Sequence, residues 1–215
     1  MTPLVVVLSS PSGGGKTTIT RRVVAERSDV GYSVSATTRP ARAGEVDGRE
    51  YHFFGPEEFE RRVQAGEFLE HAVYNGQRYG TLVSEVRRAV QSGRHVLLDI
   101  EVVGARLVRD RFPDAVLIFV VPPSGAELAA RLRARGTEGE DAVAARLEQS
   151  LEELAAAVEY DFVVVNDDLE LAVRAVHAIL EAEARRTSRQ RDVTILLARL
   201  RTEVAAELER ASGDH

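Results

Sequence analysis

The 215-residue sequence has no cysteine and no tryptophan, one methionine and a single lysine. Without cysteine, a disulfide scaffold, thiolate catalysis and cysteine-ligated zinc or iron-sulfur centres are excluded, and the composition suits a reducing, cytoplasmic compartment. The five histidines are scattered and form no HExxH-type pair. Long apolar runs are missing as well. The apolar start, Leu4 to Leu8, is short and has no basic segment before it, so neither a signal peptide nor membrane attachment is expected. A net charge of -6 argues against nucleic acid as a partner, and any anionic ligand must be held by local positive groups. The scarcity of lysine is the most specific of these absences. Of 28 basic residues, 27 are arginine, and Lys16 alone presents a compact ammonium instead of a planar fork.

What is present is an alternation of short β-branched runs with longer helical patterns, in a chain 44% hydrophobic and long enough for one sizeable core. Strands are predicted at Leu4 to Leu8, Val96 to Ile100, Val116 to Val121 and Phe162 to Val165, each apolar nearly throughout, as strands covered on both faces are. Helical periodicity covers Thr17 to Glu26, Pro56 to Ala65, Leu82 to Gln91, Val103 to Arg111, Ala126 to Arg135, Asp141 to Ala157 and Leu169 to Ala184. The pattern predicts an α/β fold with a parallel sheet.

Two segments interrupt it. Residues 32–81, punctuated by Pro40 and several glycines, read as a small inserted subdomain. Residues 122–154 read as two charged helices around a polar hinge, Arg135 to Gly139, of the kind found in mobile lids. The core is then assembled from residues 1–31, 82–121 and 155–184. Residues 185–215 form a C-terminal helical extension with seven arginines and five acids, and Val193, Leu196, Leu197, Leu200, Val204 and Leu208 share one helical face. That face is expected to pack on its own body or on a second copy in a homo-oligomer, with an anionic partner as the lesser alternative.

Ser9-Ser10-Pro11-Ser12-Gly13-Gly14-Gly15-Lys16-Thr17-Thr18 follows an apolar strand and opens a helix, the context of a phosphate-binding loop. Glycines free backbone N-H groups to curl around phosphate oxygens, and the helix N-terminus adds partial positive charge. Lys16 is expected to reach the β and γ phosphates and Thr17 to ligate magnesium, with Ser12, Gly13, Gly14, Gly15 and Thr18 completing the ATP cradle. Ser10 stands where GxxxxGK[ST] has its first glycine. Downstream, the apolar run Val96 to Leu98 ends in Asp99, a carboxylate for magnesium, its waters or a substrate. With no lysine after position 16, the [NT]KxD motif of GTPases is absent. Within the insertion, Arg39 and Arg42 lie three apart in a Pro/Gly-bounded loop, placed to form bidentate bonds to a phosphate, and Tyr51 and Tyr79 offer hydroxyl donors.

The blocks SSPSGGGKTT, VSATTRPARAGEVDGREYHF, EFLEHAVYNGQRYGT, VLLDIEVVGA, RLRARGTE and VVNDD, in that order from about Leu4 to Ala184, resemble the guanylate kinase family. The resemblance implies a three-layer P-loop fold with a GMP-binding insertion and a helical lid, and magnesium-dependent transfer of the ATP γ-phosphoryl group to GMP or dGMP. It implies that Arg39, Arg42, Tyr51 and Tyr79 bind the GMP phosphate, with Glu45 orienting the arginines. It further implies that Ser35, Glu70 and Thr81 contact guanine, and that Asp99 and Glu101 lie near the nucleotide and metal, Asp99 through water. Guanine presents N1-H and N2-H side by side, so an ionised Glu70 can accept both while Thr81 donates to O6. Adenine reverses that pattern. Arg131, Arg135 and Arg146 match the family's donor-phosphate arginines, and Asn166 matches a position near the donor adenine. The alternatives are a non-catalytic guanylate-kinase-like protein-binding module, against which the intact Gly15, Lys16 and Thr17 argue, and a P-loop kinase for another small phosphate ester, against which Glu70 and Thr81 argue.

Overall fold

The structure is a computed structural model that describes residues 2–74, 76–135 and 140–213, with the backbone alone at 135, 140, 141, 191 and 213. The predicted hinge glycines and the Arg135 side chain lie outside the described residues.

Five parallel strands make the central sheet: β1 (Val5–Ser9), β2 (Val30–Tyr32), β7 (His95–Asp99), β8 (Val116–Val121) and β9 (Phe162–Val165), in the spatial order β2-β7-β1-β8-β9. Strand alternation explains why the inner strands are apolar except at their ends. Leu4, Val6 and Leu8 pack with Ile19 and Val23 of helix α1 (Lys16–Glu26) and Val173, Val176 and Leu180 of α7 (Leu169–Ala184). Val7, Val96 and Leu98 face the other way, onto Val86 of α3 (Val83–Gln91) and Ala105 and Val108 of α4 (Val102–Arg111). Helices therefore cover both faces. β9 departs from the expectation of two covered faces: as the edge strand it leaves Val163 and Val165 exposed.

A second sheet, in the order β4-β3-β6-β5, comprises β3 (Ser35–Thr37), β4 (His52–Phe53), β5 (Phe68–Tyr74) and β6 (Gln77–Leu82). Helix α2 (Pro56–Gln64) covers one face: Phe59 packs with Ala36, Phe68 and Leu82. The helix starts with Pro56, then Glu57 and Glu58, and carries Arg61 and Arg62 in its last turn, charges that complement its dipole. β5 and β6 pair antiparallel with a register shift between Phe68 and Glu70. The shift decides orientation. Phe68 opposes Leu82 on the α2 face, whereas Glu70 opposes Thr81 on the other, although strict period-two alternation would put both on one face.

Helices α5 (Gly125–Arg135) and α6 (Glu140–Ala155) follow β8, and α6 continues into a 3-10 turn at Ala156–Glu159. The long helix α8 (Arg191–Gly213) comes after a second turn, Thr187–Arg189, pinned where Arg189 donates to Glu183 and to the Asp114 carbonyl. The expected packing of the α8 stripe on its own body is not seen for most of its length: Val193 is half-buried, but Leu196, Leu197, Leu200, Val204 and Leu208 are exposed. The body's apolar clusters close on themselves without α8, which leaves its stripe no core to join. Among the described residues no helix is long and apolar enough to cross a membrane.

Candidate active site

Parallel strands end at a common edge, and the groups that follow them converge there. Register pairs Leu8 with Asp99 and Ser9 with Phe119, so the loop after β1, the acidic end of β7 and the residues after β9 meet above the same side of the sheet. The cavity-facing side of the second sheet closes the opposite wall. A cavity of about 230 Å³ lies between them, lined on one side by Ser12, Gly13, Gly15, Lys16 and Thr17 and on the other by Ser35, Glu70, Tyr74 and Tyr79, with Asp99, Glu101 and Gly104 at its base.

The loop's conformation explains its glycines. Gly13 and Gly15 have φ of 88° and 97°, left-handed values that a side chain disfavours. Gly15 caps α1, and a Cβ there would lie 2.1 Å from Asn166 Nδ2. Asn166 is buried, and its amide donates to the Gly14 carbonyl at 2.9 Å. It clamps the loop backbone from the β9 side. Arg131 joins this clamp, donating to the Asn166 carbonyl at 3.1 Å and to Glu127 at 2.7 Å. Ser10 is buried, with its hydroxyl on the Pro11 carbonyl.

Lys16 lies between two carboxylates, Asp99 at 3.0 Å and Glu101 at 2.8 Å. Burial penalises its ammonium, yet the charges and hydrogen bonds of Asp99 and Glu101 outweigh that cost and raise its pKa well above the usual lysine value. In this state the two acids hold the lysine.

On the second sheet, Ser35 opposes Thr81 and Thr81 opposes Glu70, which places these residues on three adjacent strands. Thr81 has no exposed surface, and its hydroxyl donates to Glu70 Oε1 at 2.6 Å. Burial pushes the Glu70 carboxyl up to about 7, against the lowering effect of the Thr81 bonds. Glu45 accepts from the Arg39 guanidinium at 2.9 Å, but it meets Arg42 at the backbone N-H, at 2.7 Å. It thus orients one guanidinium and one main-chain turn. Arg39 also stacks over Tyr51, which in turn packs edge-on against Tyr79. Arg42, Tyr51 and Tyr79 line the cavity.

Arg146 is half-buried on α6, seven residues and therefore two turns before Glu153 on the same helix face. Glu153 is a site residue that sequence reasoning missed. Its carboxylate accepts from the Ser12 N-H at 3.2 Å and from Gln149 at 3.0 Å, and burial, with help from the charge of Glu101, pushes its pKa to about 7. Nothing in a leucine- and glutamate-rich helix marks one acid of several; only the docking of α6 on the loop selects it. Tyr74 and Gly104 were missed likewise, and both line the cavity.

Among the described residues no three acidic or histidine side chains cluster as a metal centre. Thr17 and Asp99 supply hard oxygen donors beside the loop, and magnesium bound with nucleotide takes few protein ligands, so these two fit that ion.

The family model described as guanylate kinase matches residues 2–183. The chain belongs to the guanylate kinase family. Relatives named guanylate kinase include one from Symbiobacterium thermophilum, 51% identical over 86% of this chain and 88% of the relative, and one from Desulfitobacterium hafniense, 46% identical over 87% and 94%. The crystal structure of guanylate kinase from Anaplasma phagocytophilum superposes with a TM-score of 0.76 at 34% identity, covering 91% of this chain and 94% of that one. Helix α8 follows the last residue that the family model matches.

Proposed function

We propose that the protein is an ATP:GMP phosphotransferase acting in the cytoplasm. The observation that carries this reading is one cavity with the Lys16 phosphate loop on one wall and Glu70, held from behind by the buried Thr81 hydroxyl, on the other. A nucleoside monophosphate bound with its base at Glu70 directs its phosphate toward Arg39, Arg42, Tyr51 and Tyr79, while ATP lies in the loop. A phosphate oxygen of GMP attacks the γ phosphorus in line. The new P-O bond forms as the bond to the β-phosphate oxygen breaks, giving GDP and ADP, and no general base is needed because the acceptor phosphate is largely dianionic at neutral pH. Lys16 neutralises charge on the transferred group, and Arg39, Arg42, Arg131, Arg135 and Arg146 grip phosphate oxygens with planar forks. Thr17 and Asp99 would hold magnesium, which when bound neutralises phosphate charge. Asn166 fastens the loop and borders the donor adenine. Thr81 acts through Glu70, whose carboxylate its hydroxyl orients. Residues 1–31, 82–121 and 155–184 serve as the catalytic core, 32–81 as the acceptor-binding unit and 122–154 as the lid.

The test is a coupled assay with GMP, dGMP, AMP and UMP. Phosphorylation of GMP and dGMP is expected to exceed that of the others by at least about 100-fold, since mismatched buried hydrogen-bonding groups discriminate by such factors. Equal rates with AMP would overturn the guanine reading.

We assign the exposed stripe of α8 to self-association. Removing residues after Ala184 should lower the solution mass measured by light scattering from that of an oligomer to that of a monomer while leaving turnover intact. An unchanged mass would remove this assignment.

A further inference from the structure

Gly104 occupies the first turn of α4, is buried, and has no left-handed φ to account for a glycine there. Glycine inside a helix is unfavourable relative to alanine, so its presence needs another cause. A Cβ built on Gly104 would lie 2.7 Å from Glu70 Oε2, 3.1 Å from Glu70 Cδ and 3.4 Å from Ile100 Cδ1. The volume an alanine methyl needs is already filled by the Glu70 carboxylate. That carboxylate has little freedom to retreat: its other oxygen accepts from Thr81 at 2.6 Å, its backbone is paired in β5, and the residue is buried.

We propose that Gly104 is a positioning residue for guanine selectivity: its missing side chain is the space in which Glu70 lies against α4 and faces the acceptor cavity. The inference rests on the reading of Glu70 as the guanine acceptor. Both residues line the same cavity, so a methyl at position 104 acts on the recognition group itself. Relieving the contact from 2.7 Å to an ordinary 3.4 Å requires a displacement larger than the roughly 0.5 Å tolerance of a recognition site. A carboxylate that must accept two adjacent N-H groups loses alignment to both when it moves that far. The helix itself gains from the change, because alanine is the better helix former.

Gly104→Ala is therefore expected to raise KM for GMP about tenfold or more, to leave KM for ATP within about twofold, and to keep or raise the melting temperature. In a Glu70→Asp background, where the acid is one methylene shorter, the same substitution should cost much less, a non-additivity that a double-mutant cycle reads directly. An unaltered KM for GMP in Gly104→Ala, or equal losses in both backgrounds, overturns the proposal. So does a parallel rise in both KM values together with a lower melting temperature, the mark of a merely structural role. Glu70→Gln separates the two levels of inference. If it keeps the full preference for GMP over AMP, the Glu70 reading itself is wrong. If it loses that preference while Gly104→Ala is indifferent, only the assignment of Gly104 falls.

Discussion

Lys16 has about a tenth of its side chain exposed and carboxylates at 2.8 and 3.0 Å, a space that suits a compact ammonium and not a planar guanidinium. Lys16→Arg and Lys16→Ala should each lower kcat by about 100-fold or more while the protein remains folded, the scale of losing one preorganised electrostatic donor. Retention of a tenth of the activity in either variant would show that position 16 does not need a point charge. Glu70 carries the second residue-scale prediction. Burial sets its carboxyl at about 7, and only the ionised form accepts both guanine donors, so KM for GMP should fall as pH rises through that value. The GMP phosphate takes its second ionisation nearby, at about 6. The comparison is therefore with Glu70→Gln, whose profile should show only the ligand's own ionisation; identical profiles for the two proteins would count against the role of Glu70.

At the scale of elements, the junction of β1 and α1 is the most constrained stretch. Gly15 combines a φ of 97° with a 2.1 Å clash awaiting any Cβ, against an Asn166 amide that is already bonded to the loop. Gly15→Ala should accordingly raise KM for ATP at least about tenfold and leave KM for GMP nearly unchanged, a split measurable in steady-state kinetics with each substrate varied in turn. The phosphate loop and the strands β1, β7, β8 and β9 were legible because their signals are local: apolar runs, glycines and a helix start within a few residues. The strands of the second sheet were not. β3 and β4 are three and two residues long, too short to show a period, and the register shift in β5 breaks the alternation that would have revealed it. β2 escaped for the same reason of length.

The whole molecule joins the core and the second sheet around one cavity and docks α6 on the phosphate loop that lines it, and it does so with two buried acids whose charged forms burial disfavours. Glu70 and Glu153 have pKa values near 7 in the folded protein, against 4.5 for an ordinary glutamate. Between those values the folded chain holds protons that the unfolded chain has released, so the acids' contribution to stability is whole below pH 4.5, declines as pH rises, and is lost above about 7. Glu153→Gln, which keeps an acceptor for the Ser12 N-H, should raise the melting temperature at pH 8 and change it little at pH 5. Equal shifts at both pH values would show that the carboxyl does not titrate in this range. The sequence by itself determined the α/β alternation, the phosphate loop, the family and the lone lysine, since each is written within a few consecutive residues as periodicity, dihedral demand or residue chemistry. Only the tertiary structure decided that Asp99 and Glu101 hold Lys16, that Thr81 binds Glu70, that Glu153 meets the loop and that Gly104 makes room. Those contacts join residues far apart in the chain, and they depend on strand register and on which helix face docks, quantities that no local pattern carries.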